Sequence, residues 1–319
     1  MDVILALDGG ATRTRCVAID LSGRPLAEAE DGPSNHLQES EKTVHDRLAD
    51  LTERTLALAN LRENDVRCLS AGLAGVDYDG YGAEPMTALF HRLGFKSCLV
   101  FGDLVIAHAA ALAMEPGIVI LAGTGSAVLG IDASGRRVKA GGWGPVYGDE
   151  GSARGISQQA LTAAARAYDG RGPSTALLEA ITAALRIADF RDSISVIYGA
   201  QPRDIASLCP VIYRTAVAGD SVARSLFDTA AGMLVEGAMA AARQLGLDRS
   251  PVRVSYQGGV AEHCPLLVER MTEKLQTQLP LARLQPPLWP PVMGAYLLAC
   301  RSLNCQAGLN ECSKTTSIS

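Results

Sequence analysis

One pattern occurs twice in this chain and limits what it can become. An apolar run at 3–7 leads into a polar, glycine-rich turn, Asp8-Gly9-Gly10-Ala11-Thr12-Arg13-Thr14. A second run at 15–20 follows, then the turn Leu21-Ser22-Gly23-Arg24-Pro25 and a third run from about Leu26. The order recurs from Gly117: a run at 118–122, Gly123-Thr124-Gly125-Ser126, a run at 127–132, Ala133-Ser134-Gly135-Arg136 and a return at 137–140. Apolar runs joined by short glycine-rich turns predict hairpins. After the first hairpin, helical spacing covers 40–61 through Val44, Leu48, Leu51, Thr55 and Leu58. Strands at 66–71 and 98–101 then alternate with helices at 86–93 and 104–114. The second half reads as helices at 152–168, 174–185, 204–218 and 221–245, a strand at 252–256, a rigid loop at 286–291 and a helix at 291–301. The expectation is mixed α/β sheets in two related domains, with a ligand cleft between them. The first spans 1–116 and takes back 291–303, the second spans 117–290, and 304–319 form a frayed tail.

Composition narrows the function. A length of 319 residues suits two domains. Hydrophobic residues make up 48% and charged residues 20%, as in ordinary globular proteins. Aromatics are only 5%, so the core must be built from Ala, Leu, Val and Ile. Lys and Arg total 29 against 34 Asp and Glu, a net charge of −5, which argues against a nucleic-acid partner. No apolar run approaches the ~20 residues of a membrane span. No leader precedes the strand at 3–7, so the expected location is cytoplasmic. None of the eight cysteines (16, 68, 98, 209, 264, 300, 305 and 312) has another at CxxC spacing. They read as reduced, small hydrophobes.

The candidate chemistry lies in the turns. Gly9 and Gly10 let the backbone approach an oxyanion, Thr12 and Thr14 add hydroxyls, and Asp8 can hold Mg²⁺ through water. The same tip also reads as a plain hairpin with a capping Asp. Gly123-Thr124-Gly125-Ser126 stands at the equivalent place and suits a second phosphate contact. Asp103 follows Gly102 at a helix start; it reads as an N-cap or as a general base, and the two roles are compatible. Gly141-Gly142-Trp143-Gly144 and Gly148-Asp149-Glu150-Gly151-Ser152 form a long loop in which Asp149 or Glu150 caps the next helix, while glycines beside carboxylates suit a polyol. Asn35 can donate to and accept from sugar hydroxyls, and His36 reads as a surface-loop residue or a ligand contact. Gln257-Gly258-Gly259-Val260 links a strand to a helix and would let a flat nucleoside lie on the backbone.

As an ordered set, Asp8-Gly9-Gly10-x-Thr12, Ser34-Asn35-His36, Gly72-Leu73-Ala74-Gly75, Asp103, Gly123-Thr124-Gly125-Ser126, Gly148-Asp149-Glu150-Gly151-Ser152, Ala216-x-x-Gly219-Asp220 and Gly258-Gly259-Val260 resemble one family. They are similar to the N-acetylglucosamine and glucosamine kinases, relatives of the activator ATPases of benzoyl-CoA reductase in the actin–hexokinase–heat-shock-chaperone superfamily. The resemblance runs from about Val3 to Leu303. It implies two ribonuclease-H-like domains with mixed five-stranded sheets. It implies Mg·ATP held by Asp8, Gly9, Gly10, Thr12 and Thr14, by Thr124, Gly125 and Ser126, and by Ala216, Gly258 and Gly259 at the adenosine, with Asp8 as the metal residue. Asn35, His36, Asp103, Gly142, Trp143 and Asp149 would bind a small-molecule amino sugar, and Asp103 would take the proton of its 6-hydroxyl. Ala74 and Ala127 stand where the animal N-acetylglucosamine kinases carry Ser and Asn, as in bacterial glucosamine kinases. The expected acceptor is N-acetylglucosamine, with glucosamine as the alternative. A homodimer is compatible with this reading. An activator ATPase or a non-catalytic nucleotide-dependent binding protein are the competing classes.

Overall fold

The computed structural model describes residues 2–308. The first sheet is built from β1 (Val3–Gly9), β2 (Thr14–Asp20), β3 (Pro25–Asp31), β4 (Val66–Leu73) and β5 (Cys98–Gly102), with helices α1 (Glu41–Leu58), α2 (Glu84–Arg92) and α3 (Asp103–Leu112). The second is built from β6 (Gly117–Ala122), β7 (Ser126–Ile131), β8 (Arg137–Gly141), β9 (Val252–Gln257) and β10 (Ala282–Gln285). Its helices are α4 (Ala153–Tyr168), α5 (Leu177–Leu185), α6 (Ser193–Tyr198), α7 (Pro202–Ala206), α8 (Cys209–Val217), α9 (Ser221–Leu245), α10 (Gly259–His263) and α11 (Pro265–Gln278). A last helix, α12 (Pro291–Ser302), closes the described chain.

The two sheets have the same strand order, β3-β2-β1-β4-β5 and β8-β7-β6-β9-β10. The expected pair of ribonuclease-H-like, five-stranded α/β sheets is what forms. The backbone clusters into two compact units. One takes the chain up to Val119, Ile131–Arg137 and the segment from Pro286; the other takes Ile120–Gly130 and Val138–Gln285.

In the first unit, β1 runs antiparallel to β2 and parallel to β4, and β4 parallel to β5. Alternation along β1 splits its side chains between two cores. Val3, Leu5 and Leu7 join Val44, Leu48, Leu51 and Phe90 on one face. Ile4 and Ala6 join Ile106 of α3 and Val292, Met293 and Tyr296 of α12 on the other. A Cβ on Gly294 would come within 1.9 Å of the Ile106 carbonyl, so this glycine sets how closely α12 crosses α3. Ser40 caps α1 by accepting the Thr43 N–H, where the sequence places the helix start. Of the expected tail, 304–308 are held against α12: the Cys305 N–H donates to Cys300 and the Gly308 N–H to Tyr296 Oη. The remainder, with Cys312, lies outside the described residues.

In the second unit the helix expected at 204–218 is broken. Pro210 sits in the first turn of α8, where its missing N–H costs nothing, and α7 ends at Ala206. The short strand β10, unread in the sequence, pairs in parallel with β9. Among the described residues no helix is long and apolar enough to cross a membrane.

Candidate active site

In the first unit the register of the parallel strands assembles one edge of polar groups. Asp8 of β1 stands beside Gly72 of β4, which stands beside Phe101 of β5. One step further, Gly9, Leu73 and Gly102 are in line, and Asp103 follows as the first residue of α3. These are the carboxyl ends of parallel strands, where open α/β sheets bind ligands. Asp8 shares its face of β1 with Ile4 and Ala6, the face that α3 covers. Gly72 lets α3 settle there, since a Cβ on it would meet Ile106 at 2.3 Å. Asp8 thus stands two strand spacings, about 10 Å, from Phe101 of β5, and Asp103 lies two residues beyond Phe101.

The β1–β2 tip is tied down by its carbonyls. The Gly10 N–H donates to the Arg13 carbonyl at 2.9 Å, the Ser34 N–H to Gly10 at 3.1 Å and the Ala74 N–H to Gly9 at 2.7 Å. A Cβ on Gly9 would strike Ser34 Oγ at 2.3 Å and Leu73 at 2.6 Å. Thr12 is exposed. Thr14 is fully buried and its hydroxyl donates to the Gly32 carbonyl at 2.8 Å, so it braces the hairpin.

Asn35 and His36 pack on the loop after β4. Gly75 has φ +95°, and a Cβ there would meet His36 Cε1 at 2.7 Å and Asn35 Oδ1 at 2.9 Å. Asn35 spends its carbonyl oxygen on the Leu37 N–H at 3.0 Å, so its amide NH₂ is the group left to present to a ligand. Burial pushes His36 down from its ordinary range, and its Nδ1 has no hydrogen-bond partner among the described residues. Ala74 is 6% exposed, so its methyl belongs to the packing. The cap of α3 falls on Gly102, one residue before the one the sequence suggested. Asp103 still serves the helix start, its Oδ1 accepting the Leu104 N–H at 2.8 Å.

In the second unit the β6–β7 turn hangs on the first turn of α4. The Ala153 N–H donates to the Gly123 carbonyl at 2.9 Å and the Arg154 N–H to Thr124 at 3.4 Å. Ser126 is committed within the protein: its N–H donates to Asp149 Oδ1 at 3.2 Å and its hydroxyl to the Glu150 carbonyl at 2.7 Å. Asp149 does not cap α4. Ser152 does, accepting the Gly155 N–H at 3.0 Å, because its hydroxyl stands three residues before that donor. Asp149 takes a left-handed φ of +64° instead and lays its carboxylate on Gly125, where a Cβ would meet Oδ1 at 2.8 Å. Burial pushes this carboxyl up, against the downward pull of the Ser126 N–H and the Arg154 charge.

Gly258 has φ +101°, and a Cβ there would meet the Ala122 carbonyl at 2.7 Å and the Gly123 nitrogen at 2.9 Å. The Gly258-Gly259 turn therefore lies directly against the β6 end of the loop. Ala216 is fully buried within the helix packing and shows no surface; Gly219, three residues on, has open space where a Cβ would stand. Gly142 crosses Ala127, with 2.9 Å from its Cβ position to the Ala127 methyl. Trp143 is 65% exposed, with Lys139 Nζ 5.9 Å from its ring centroid.

Sequence reasoning missed Arg154. A cation in the first turn of a helix opposes the helix dipole, and that misplacement was its signal.

A family model described as the BadF/BadG/BcrA/BcrD ATPase family matches residues 5–299. The chain is 28% identical over 302 residues to the N-acetylmuramic acid/N-acetylglucosamine kinase of Clostridium acetobutylicum, covering 94% of this chain and 98% of that protein. It is 27% identical over 314 residues to the N-acetyl-D-glucosamine kinase of Dictyostelium discoideum, with the same two coverages. Among solved structures, a candidate N-acetylglucosamine kinase of Chromobacterium violaceum superposes with a TM-score of 0.77 at 27% identity, covering 93% of this chain and 98% of the other. A ROK family glucokinase of Streptomyces griseus, solved with glucose and AMPPNP, is alike in fold alone, at a TM-score of 0.62 and 17% identity. With almost its whole length matched, the chain belongs to the BadF/BadG/BcrA/BcrD ATPase family.

Proposed function

We propose that the protein is an ATP-dependent kinase that phosphorylates the 6-hydroxyl of N-acetylglucosamine, and that it works in the cytoplasm. The observation that carries this is the strand-end edge of the first sheet, where Asp8, Asp103 and the Asn35–His36 pair converge on β1, β4 and β5. The near-complete coverage of two relatives named as N-acetylglucosamine kinases supports the same acceptor.

The donor set suits a hard cation and a polyphosphate: one half-buried carboxylate, Asp8, beside a hairpin tip whose Gly10 leaves only backbone 3.3 Å from its Cβ position. Asp8 would hold magnesium through water, and Gly9, Gly10 and Thr12, with Thr124 and Gly125, would hold the phosphates. Bound magnesium would neutralise phosphate charge as it builds during transfer. The Gly258-Gly259 turn would lie against the nucleoside. Asn35 would donate its NH₂ to the sugar, and Asp149 and the Gly142–Trp143 segment would line the acceptor. Asp103 would accept the proton of the attacking 6-hydroxyl. Ala127, against Gly142, offers the acceptor a methyl rather than a polar partner, which extends the proposal to glucosamine as a slower substrate.

A coupled ADP-release assay across N-acetylglucosamine, glucosamine, glucose, N-acetylmannosamine and N-acetylmuramic acid tests the reading. ADP release should rise steeply with N-acetylglucosamine. Release that no sugar stimulates would contradict a kinase and favour an activator ATPase. A homodimer belongs to the same proposal and is read by light scattering.

A further inference from the structure

Asp149 has a partner that the kinase reading does not use. Arg154 stands on the first turn of α4 and is 7% exposed. Its guanidinium is anchored at one end, Nη1 donating to Gln158 Oε1 at 3.1 Å. Its Nε is buried, has no hydrogen-bond partner among the described residues, and lies 4.0 Å from Asp149 Oδ2. Leaving a buried charged donor unsatisfied is costly, and the carboxylate that faces this one is that of Asp149. Oδ1 of that carboxylate accepts the Ser126 N–H and lies against Gly125, and the backbone carbonyl of Asp149 is 2.7 Å from the Cβ position of Gly155. Gly151, at φ +78°, fixes the far end of the loop against Ala230 and Leu234 of α9.

We infer that Arg154 is a positioning residue for the acceptor: its guanidinium holds the Asp149 carboxylate in place for recognition of a sugar hydroxyl. This rests on the proposed reading of Asp149 as an acceptor ligand. Arg154 also supports the loop through its backbone N–H, which any substitution keeps, so side-chain variants isolate the guanidinium.

The charged groups facing Asp149 are Arg154 on α4 and Glu150 beside it in the loop. Burial raises the carboxyl and Arg154 opposes that rise. An acceptor that needs the carboxylate loses affinity as pH falls through this ionisation. Removing the guanidinium lets the carboxyl rise further, which moves the acid limb of kcat/KM for the sugar to higher pH.

The test compares Arg154→Gln, Arg154→Lys and Asp149→Asn, each checked for folding by circular dichroism. Arg154→Gln should raise KM for N-acetylglucosamine about tenfold, as expected for loss of one charge-assisted contact. KM for ATP should stay within about threefold and the acid limb should move up. Arg154→Lys should return the limb towards its wild-type position while KM stays raised, because the ammonium restores charge but not the planar Nε–H. Sugar affinity by calorimetry gives the same comparison without turnover, and Arg154→Lys carries the test if Arg154→Gln does not fold. If Asp149→Asn raises the sugar KM while Arg154→Gln leaves both KM and limb unchanged, the positioning role is overturned and the acceptor role of Asp149 stands. If Asp149→Asn leaves the sugar KM unchanged, the acceptor reading fails and this inference with it.

Discussion

The proposed base, Asp103, also serves the start of α3. Oδ1 accepts the Leu104 N–H, and in the proposed reaction the same carboxylate takes a proton from a sugar hydroxyl. Asn at this position keeps an acceptor for Leu104 but cannot accept the proton. Asp103→Asn should therefore keep the fold and sugar affinity while kcat falls by ~10²–10⁴; a variant retaining half the wild-type rate would move the base elsewhere. Gly125 is tested by its clearance. A methyl there would meet Asp149 Oδ1 at 2.8 Å, so Gly125→Ala should displace the carboxylate and raise KM for sugar and ATP together. A change confined to ATP would argue that Asp149 and the loop act independently. At this scale the sequence was most informative where chemistry is local. The Asp8–Thr14 tip and Asp103 could be picked out because strand, glycines and acid follow one another along the chain. The commitment of Ser126 to Asp149 could not, because it depends on where α4 begins relative to a turn far back along the chain, and Arg154 offered only its misplacement in a first helical turn.

Among the elements, α3 joins the proposed base to the packing of the first unit. It starts at Asp103 and carries His108, 1% exposed, whose Nε2 donates to the Gly117 carbonyl at 3.1 Å. Burial holds this imidazole at about 4, against an ordinary 6.5. A depressed folded value contributes stability above the ordinary pKa, and that contribution is lost as pH falls through the folded value. The unfolded chain takes up the proton first, so stability should decline between about pH 6.5 and 4, by about 3 kcal/mol for this one group. Urea denaturation across that range should show the decline, and His108→Gln should flatten it. An unchanged slope in the variant would remove His108 as its source. Elements that were legible here are those with long periodic stretches, such as α1 and α9. The break between α7 and α8 turns on the tolerance of a first helical turn for Pro210, and β10 has four residues, too few for alternation to register.

On the scale of the whole molecule, the repeated hairpin explains why two sheets of the same strand order form from one chain. Both glycine loops follow buried first strands, β1 and β6, and each is braced by helical or loop groups remote in sequence. The repeat was readable because hairpins are local, whereas the clustering of 131–137 with the first unit depends on contacts remote in sequence. The loop at 141–148 was legible as glycine-rich but not in its path, because Gly142 passes over Ala127 of a neighbouring strand. The central claim is that the chain moves the γ-phosphoryl group of ATP to the 6-hydroxyl oxygen of an amino sugar. Phosphorus and carbon NMR of a reaction with ATP and N-acetylglucosamine measure it directly. The account predicts one ADP for each sugar phosphate, with the phosphate on carbon 6. ADP formed without sugar phosphate, or phosphate on another carbon, would contradict it.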